Sequence, residues 1–192
     1  MSKKVVAVLP DSAQKHWETE HAQAGFTKHI RLLGRNIIQI SIEARHDITL
    51  DSMDIELFDT VLQESGLADE PVYCLWDFTH VTDVSYTYKK SITKLLYNRN
   101  PQFKLIVFFN VQQSVSILVE SFAAVVPDGL RVLVVENSQQ ALAAVMEDEQ
   151  GNLPESPAES HDAVMKRNFL AYLVRMSWFD MFDEHISVPP FD

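Results

Sequence analysis

One cysteine, Cys74, occurs in 192 residues. A lone cysteine cannot form an internal disulfide and supplies no metal cluster. Lying inside the apolar run VYCLW, it reads as a small core residue and not as a nucleophile. Glycine is almost as scarce, with five in the chain. Loops that cradle phosphate need glycine so that backbone amides can approach the ligand, and neither GxxxxGKS/T nor GxGxxG is found. GxSxG is absent too, so a nucleotide-dependent enzyme or a serine hydrolase has no motif behind it. No apolar run is long enough to cross a bilayer. The opening MSKKVVAVLP has lysines but no signal-type apolar core or small-residue cleavage site, so cytoplasmic residence is expected.

Basic residues are also in deficit. Sixteen Lys and Arg stand against 27 Asp and Glu, a formal net charge of −11. The excess is concentrated at the end, where Glu147 to Asp192 holds ten acids and three bases. A field of that sign disfavours nucleic acid and anionic membrane as partners. One local exception stands out: between His80 and Lys104, Lys89, Lys90, Lys94, Arg99 and Lys104 face the single acid Asp83.

What is present is ordinary for a globular protein: 46% hydrophobic, 22% charged, mean hydropathy −0.07. FTKHIRLL-GR-NIIQISIEA reads as a β-hairpin. Phe26, Ile30 and Leu32 alternate with Thr27, His29 and Arg31, Ile38, Ile40 and Ile42 alternate with polar residues, and Gly34-Arg35 suits a two-residue turn. LDSMDIELFDTVLQESG predicts a helix capped by Asp51 or Ser52 and ended by Gly66. PVYCLWDF, KLIVFFN and RVLVV predict strands. SYTYKKSITKLLYNR, SVSILVESFAAVV and SQQALAAVM predict helices, the first with a stripe of Tyr88, Ile92, Leu95 and Leu96, the last capped by Ser138.

The predicted fold is therefore α/β: an N-terminal hairpin followed by βα units, a mixed and mostly parallel sheet with helices mainly on one face, plus a C-terminal helix. Residues 26–147 form the domain. Residues 1–25 are an opening strand or short helix, with DSAQKHWETEHAQ the helical candidate. Residues 148–160 are an acidic linker and 161–185 an amphipathic helix that covers the sheet or mediates a homodimer. The later strands are apolar on both faces, so both faces need cover.

No cofactor is indicated. His16, Glu20 and His21 are the one close histidine–acid group, and on a helix His21 would point away from the other two, so no metal site is expected. Asp77, His80 and Asp83 would be the residues of an α/β enzyme, but no constellation assembles around them. A pocket for a small apolar or anionic ligand, lined by Trp76, Phe108, Trp178 and Phe182, is an alternative; the same aromatics are equally expected of plain core.

The order of elements, together with Asp77-Phe78-Thr79-His80-Val81-Thr82 and the apolar Val84, resembles the STAS domain, the sulfate-transporter and anti-sigma-factor-antagonist family. The resemblance spans residues 26 to 147, chiefly by topology. It implies a non-enzymatic regulatory module in bacterial-type signalling whose partner is a kinase or an anti-sigma-like protein. The implied contact surface is the loop and first turns of the following helix, here Ser85, Tyr86, Thr87, Tyr88, Lys89, Lys90 and Lys94. The chain departs from the family where the phosphoacceptor motif falls. Ser85-Tyr86-Thr87-Tyr88 replaces aspartate, phosphoacceptor serine, serine or threonine, and glycine, leaving Ser85 and Thr87 as candidate phosphorylation sites.

Overall fold

The computed structural model describes residues 15–51, 53–123, 126 and 130–152. Strand β1 (His16–His21), β2 (Phe26–Leu33) and β3 (Ile37–Ala44) form an antiparallel ribbon, followed by the short β4 (Ile48–Leu50) and helix α1 (Ile55–Ser65). Then come β5 (Val72–Asp77), β6 (Val81–Val84), α2 (Tyr86–Arg99), β7 (Phe103–Phe109), α3 (Gln113–Ala123), β8 (Arg131–Val135) and α4 (Ser138–Glu149). The main sheet has the order β1-β2-β3-β5-β7-β8, and every pairing from β3 onward is parallel. Strands β4 and β6 pair separately as a parallel two-stranded sheet. The expected α/β architecture, hairpin first and helices mainly on one face, is what the molecule adopts.

Sequence period explains the layers. On β2, residues 26, 28 and 30 face inward and on β3 residues 38 and 40 do so, joining one core with Cys74, Trp76, Ile106 and Phe108. Helices α1, α2 and α3 cover this face with Phe58, Val61 and Leu62, then Tyr88, Ile92, Leu95 and Leu96, then Val115, Val119 and Phe122. Each large apolar side chain so buried is worth about 1.5–3 kcal/mol. The opposite face of β5 and β7, with Tyr73, Leu75, Leu105, Val107 and Phe109, is covered by Ala141, Ala144 and Val145 of α4. The small alanines let the helix approach this wall of larger side chains.

Several local expectations are corrected. His16–His21 is an edge strand and not part of a helix: Trp17, Thr19 and His21 turn inward while His16, Glu18 and Glu20 face solvent. Trp17 Nε1 donates to Glu64 Oε2 at 2.6 Å, tying the strand to α1, and that long-range contact outweighs local helix propensity. The hairpin turn has three residues, since Leu33 pairs with Ile37, and Gly34 takes φ +62°, a value open to glycine at little cost. Helix α1 starts after Asp54 and not after Asp51 or Ser52. Asp54 sits in the left-handed region (φ 52°, ψ 56°), where its carboxylate meets Lys28 Nζ and lies 3.1 Å from His21 Nε2. Helix α4 is capped by Asn137, whose side chain accepts the Gln140 amide, and not by Ser138. That helix also runs to Glu149, two residues into the expected linker. Residues 153–160 of the linker and the helix expected at 161–185 lie outside the described residues.

Candidate functional site

The stretch DFTHVTDVSYTYKK folds as a strand end, a tight turn, a four-residue strand and a helix start. Asp77 closes β5, and its Oδ1 accepts three donors: the Thr79 amide at 3.0 Å, Thr79 Oγ1 at 2.5 Å and Asn110 Nδ2 at 3.0 Å. Asn110 follows β7 at φ +55°, a conformation that asparagine tolerates better than most residues. Its amide also reaches Thr79 Oγ1 at 2.9 Å, while Gln112 Nε2 donates to the Thr79 carbonyl at 2.9 Å. Phe78 is driven into the core, edge-on to Phe108 with centroids 5.2 Å apart. The turn is thus locked from below by an aromatic contact and from the sides by amides.

Strand β6 continues the lock. Ile48 N donates to the His80 carbonyl at 2.9 Å, and Ser85 N donates to the Leu50 carbonyl at 2.7 Å, so β4 holds both ends of β6. Asp83 Oδ1 accepts the amide of Val84 at 2.8 Å. Both carboxylates therefore serve local backbone geometry, the commoner use of aspartate in turns. Ser85 is the N-cap of α2, with Oγ accepting the Tyr88 amide at 3.2 Å and its carbonyl accepting from Lys89 N at 3.1 Å.

Helix α2 divides its side chains cleanly. Tyr88, Ile92, Leu95 and Leu96 are buried. Tyr88 is only 6% exposed, so the expectation that it contacts a partner is corrected: its ring belongs to the core stripe, and burial pushes its hydroxyl pKa up. Ser85 and Lys89 are half-buried; Thr87, Lys90 and Lys94 are exposed, with Tyr86 at 44% and Tyr97 at 57%. Tyr86, Lys90, Lys94 and Tyr97 follow one another at four-, four- and three-residue intervals, which puts them on one side of the helix. The basic face is narrower than the residue count suggested. Arg99 pairs with Asp59 at 2.7 Å, and Lys104 lies 5.3 Å over the ring of Tyr73 in the α4 layer.

A feature of α2 that sequence reading understated is its lack of acids. Its 14 residues include Lys89, Lys90, Lys94 and Arg99 and no Asp or Glu. Lys89 and Lys90 are the fourth and fifth residues of the helix, at the edge of the reach of a dipole that disfavours positive charge there, while Arg99 in the last turn is favoured by it. Lys90 and Lys94, four residues apart, also repel one another.

Between α2, α3 and β6 lies a small cavity of about 20 Å³, walled by Phe78, Val84, Tyr88, Phe108, Val119 and Phe122. It has room for about one water. Trp76 and Phe108, expected to line a ligand pocket, are packed edge-to-face at 4.9 Å in the core; Trp178 and Phe182 lie outside the described residues.

No family model matches this chain, and no curated protein matches it. Among solved structures, the chain is similar to an uncharacterized protein of the DUF3478 family with a SpoIIAA-like fold from Shewanella loihica PV-4. The two share 18% identity with a TM-score of 0.43, over 70% of this chain and 98% of that one. Among the described residues, no helix is long and apolar enough to cross a membrane.

Proposed function

We propose that the protein is a non-enzymatic regulatory module that binds another protein through the outward side of α2. The contact residues are Tyr86, Thr87, Lys90 and Lys94, with Ser85 and Lys89 at the margin. The observation that carries the proposal is the acid-free basic helix held by a rigid turn on a chain of net charge −11. Cations at the start of a helix and at i,i+4 spacing work against helix stability, so stability alone does not account for them. Exposed tyrosines beside lysines supply the aromatic and cationic groups that commonly dominate protein interfaces. The partner surface is accordingly acidic, and in bacterial-type signalling of the STAS kind it would belong to a kinase or an anti-sigma-like regulator. A homodimer formed through residues 161–185 completes the proposal.

The test is affinity capture from cells that express the protein, comparing wild type with Lys90→Glu/Lys94→Glu and with Arg35→Glu as a charge control at the exposed hairpin turn. The double reversal should lose a partner that the other two retain. Identical captured sets would remove α2 as the contact surface.

A further inference from the structure

The outward face of the β1–β2–β3 ribbon brings together two histidines and two glutamates from three strands. In the β1–β2 register Glu18 stands directly opposite His29, and His16 is two residues away on the same side of β1. His16 Nε2 and His29 Nδ1 are 3.0 Å apart, and Glu18 Oε2 lies 3.8 Å from His29 Nδ1; one ligand atom from each residue falls within 4.8 Å of the other two. We propose that His16, Glu18 and His29 bind a divalent first-row transition ion of the zinc class, with Glu43 orienting His29.

Three observations carry this. The first is spacing: ligand atoms about 2.1 Å from a tetrahedral ion are separated by about 3.4 Å, and the two sides of the triangle that meet at His29 Nδ1 measure 3.0 and 3.8 Å. The second is donor chemistry. Two imidazoles with one carboxylate suit zinc and its neighbours, whereas magnesium and calcium select oxygen sets. The third is the support behind His29, which is 13% exposed with its other ring nitrogen, Nε2, lying 3.3 Å from Glu43 Oε2. That nitrogen makes no hydrogen bond among the described residues, and a small turn of the ring or of Glu43 would complete one. Such a bond would hold the proton on Nε2 and leave the Nδ1 lone pair for the ion, the usual arrangement of a metal-bound histidine. Glu20 lies further along the same side of β1 and Arg31 stands opposite His16, so the surroundings are mixed in charge. Because His16 and Glu18 are exposed, a fourth position is open to water. The bound ion would clasp edge strand β1 to β2, a site separate from the α2 face.

The experiment titrates the full chain with Zn²⁺ by calorimetry at neutral pH and repeats the titration with Co²⁺, whose visible absorption reports coordination geometry. One ion per chain and tetrahedral cobalt bands are expected. His16→Gln, on the exposed edge strand, should weaken zinc binding by about 10- to 100-fold, Glu43→Gln by about 10-fold, and His46→Gln should leave it unchanged. Circular dichroism of each variant checks that the fold is retained. Undiminished zinc affinity in folded His16→Gln, or no binding by the wild type, would overturn the assignment.

Discussion

The Ser85 hydroxyl accepts the Tyr88 amide, so a phosphate at Ser85 would act on the cap that starts α2. Removing that acceptor in Ser85→Ala should cost about 1 kcal/mol in urea unfolding, whereas Ser85→Asp, which can still cap, should stay close to wild type. Equal stability of all three proteins would show that the cap contributes nothing. Thr87 is the exposed hydroxyl of the pair, one turn before Lys90, and a phosphate there would meet both the helix amino terminus and that lysine. At this scale the sequence was only partly legible. Serine before an apolar stripe announces a cap, but neighbouring tyrosines cannot be sorted into core and surface until the helix phase is fixed. With Ser85 as cap, the stripe that begins at Tyr88 takes that ring inward and leaves Tyr86 facing out. Lys28 was legible in principle: it falls on the apolar side of an alternating strand, and it is 3% exposed beside Asp54.

At the scale of elements, the turn that aims α2 depends on residues from two strand ends. Asn110 holds a positive φ and also donates to Asp77 and Thr79. Asn110→Ala should therefore destabilise by about 1–3 kcal/mol, combining backbone strain with lost hydrogen bonds, and Asn110→Gly should cost less because glycine removes the strain. Thermal denaturation checks this ordering; alanine tolerated better than glycine would contradict it. Strands β5, β7 and β8 were readable because short continuous apolar runs bounded by turn residues leave little choice. Strands β4 and β6, with three and four residues, are too short for a period to register, and only their pairing with each other defines them. Strand β1 has five polar or charged residues in six, and its one large apolar group, Trp17, is anchored through a glutamate 47 positions away. Reading it as a helix separated His16 from Glu18, which is why the histidine–glutamate cluster with His29 stayed hidden. A period-two reading of HWETEH would have exposed it.

For the molecule as a whole, burial couples protonation to stability. Burial pushes up the pKa of Cys74 from its ordinary 9.0, and those of Tyr73 and Tyr88 from 10.0, the Tyr73 hydroxyl also donating to Asp148 at 2.9 Å. Above those ordinary values the unfolded chain releases protons that the folded chain keeps, so the fully buried Cys74 and Tyr88 each lower stability by about 1.4 kcal/mol per pH unit, and Tyr73, whose hydroxyl end is partly open to solvent, adds less. Lys28 works the other way: burial lowers its pKa against the pull of Asp54, so stability rises with pH until its ordinary 10.5 is passed. The other three groups outweigh Lys28 and predict a urea midpoint that falls between about pH 10 and 11, with Tyr88→Phe making the fall clearly shallower. A flat profile there would show that these groups are not sequestered. The mixed sheet and the need for cover on both its faces follow from hydrophobic pattern, which is why the architecture was legible. The cover of the second face by α4, where the 161–185 helix was expected, was not, and nor was the exposed side of α2, which depends on how α2 is rotated. The most direct measurement is the capture comparison between wild type and Lys90→Glu/Lys94→Glu. Loss of a specific partner from the double variant, with Arg35→Glu unaffected, is the result expected if α2 is the contact face. A full set of partners on all three proteins would contradict it.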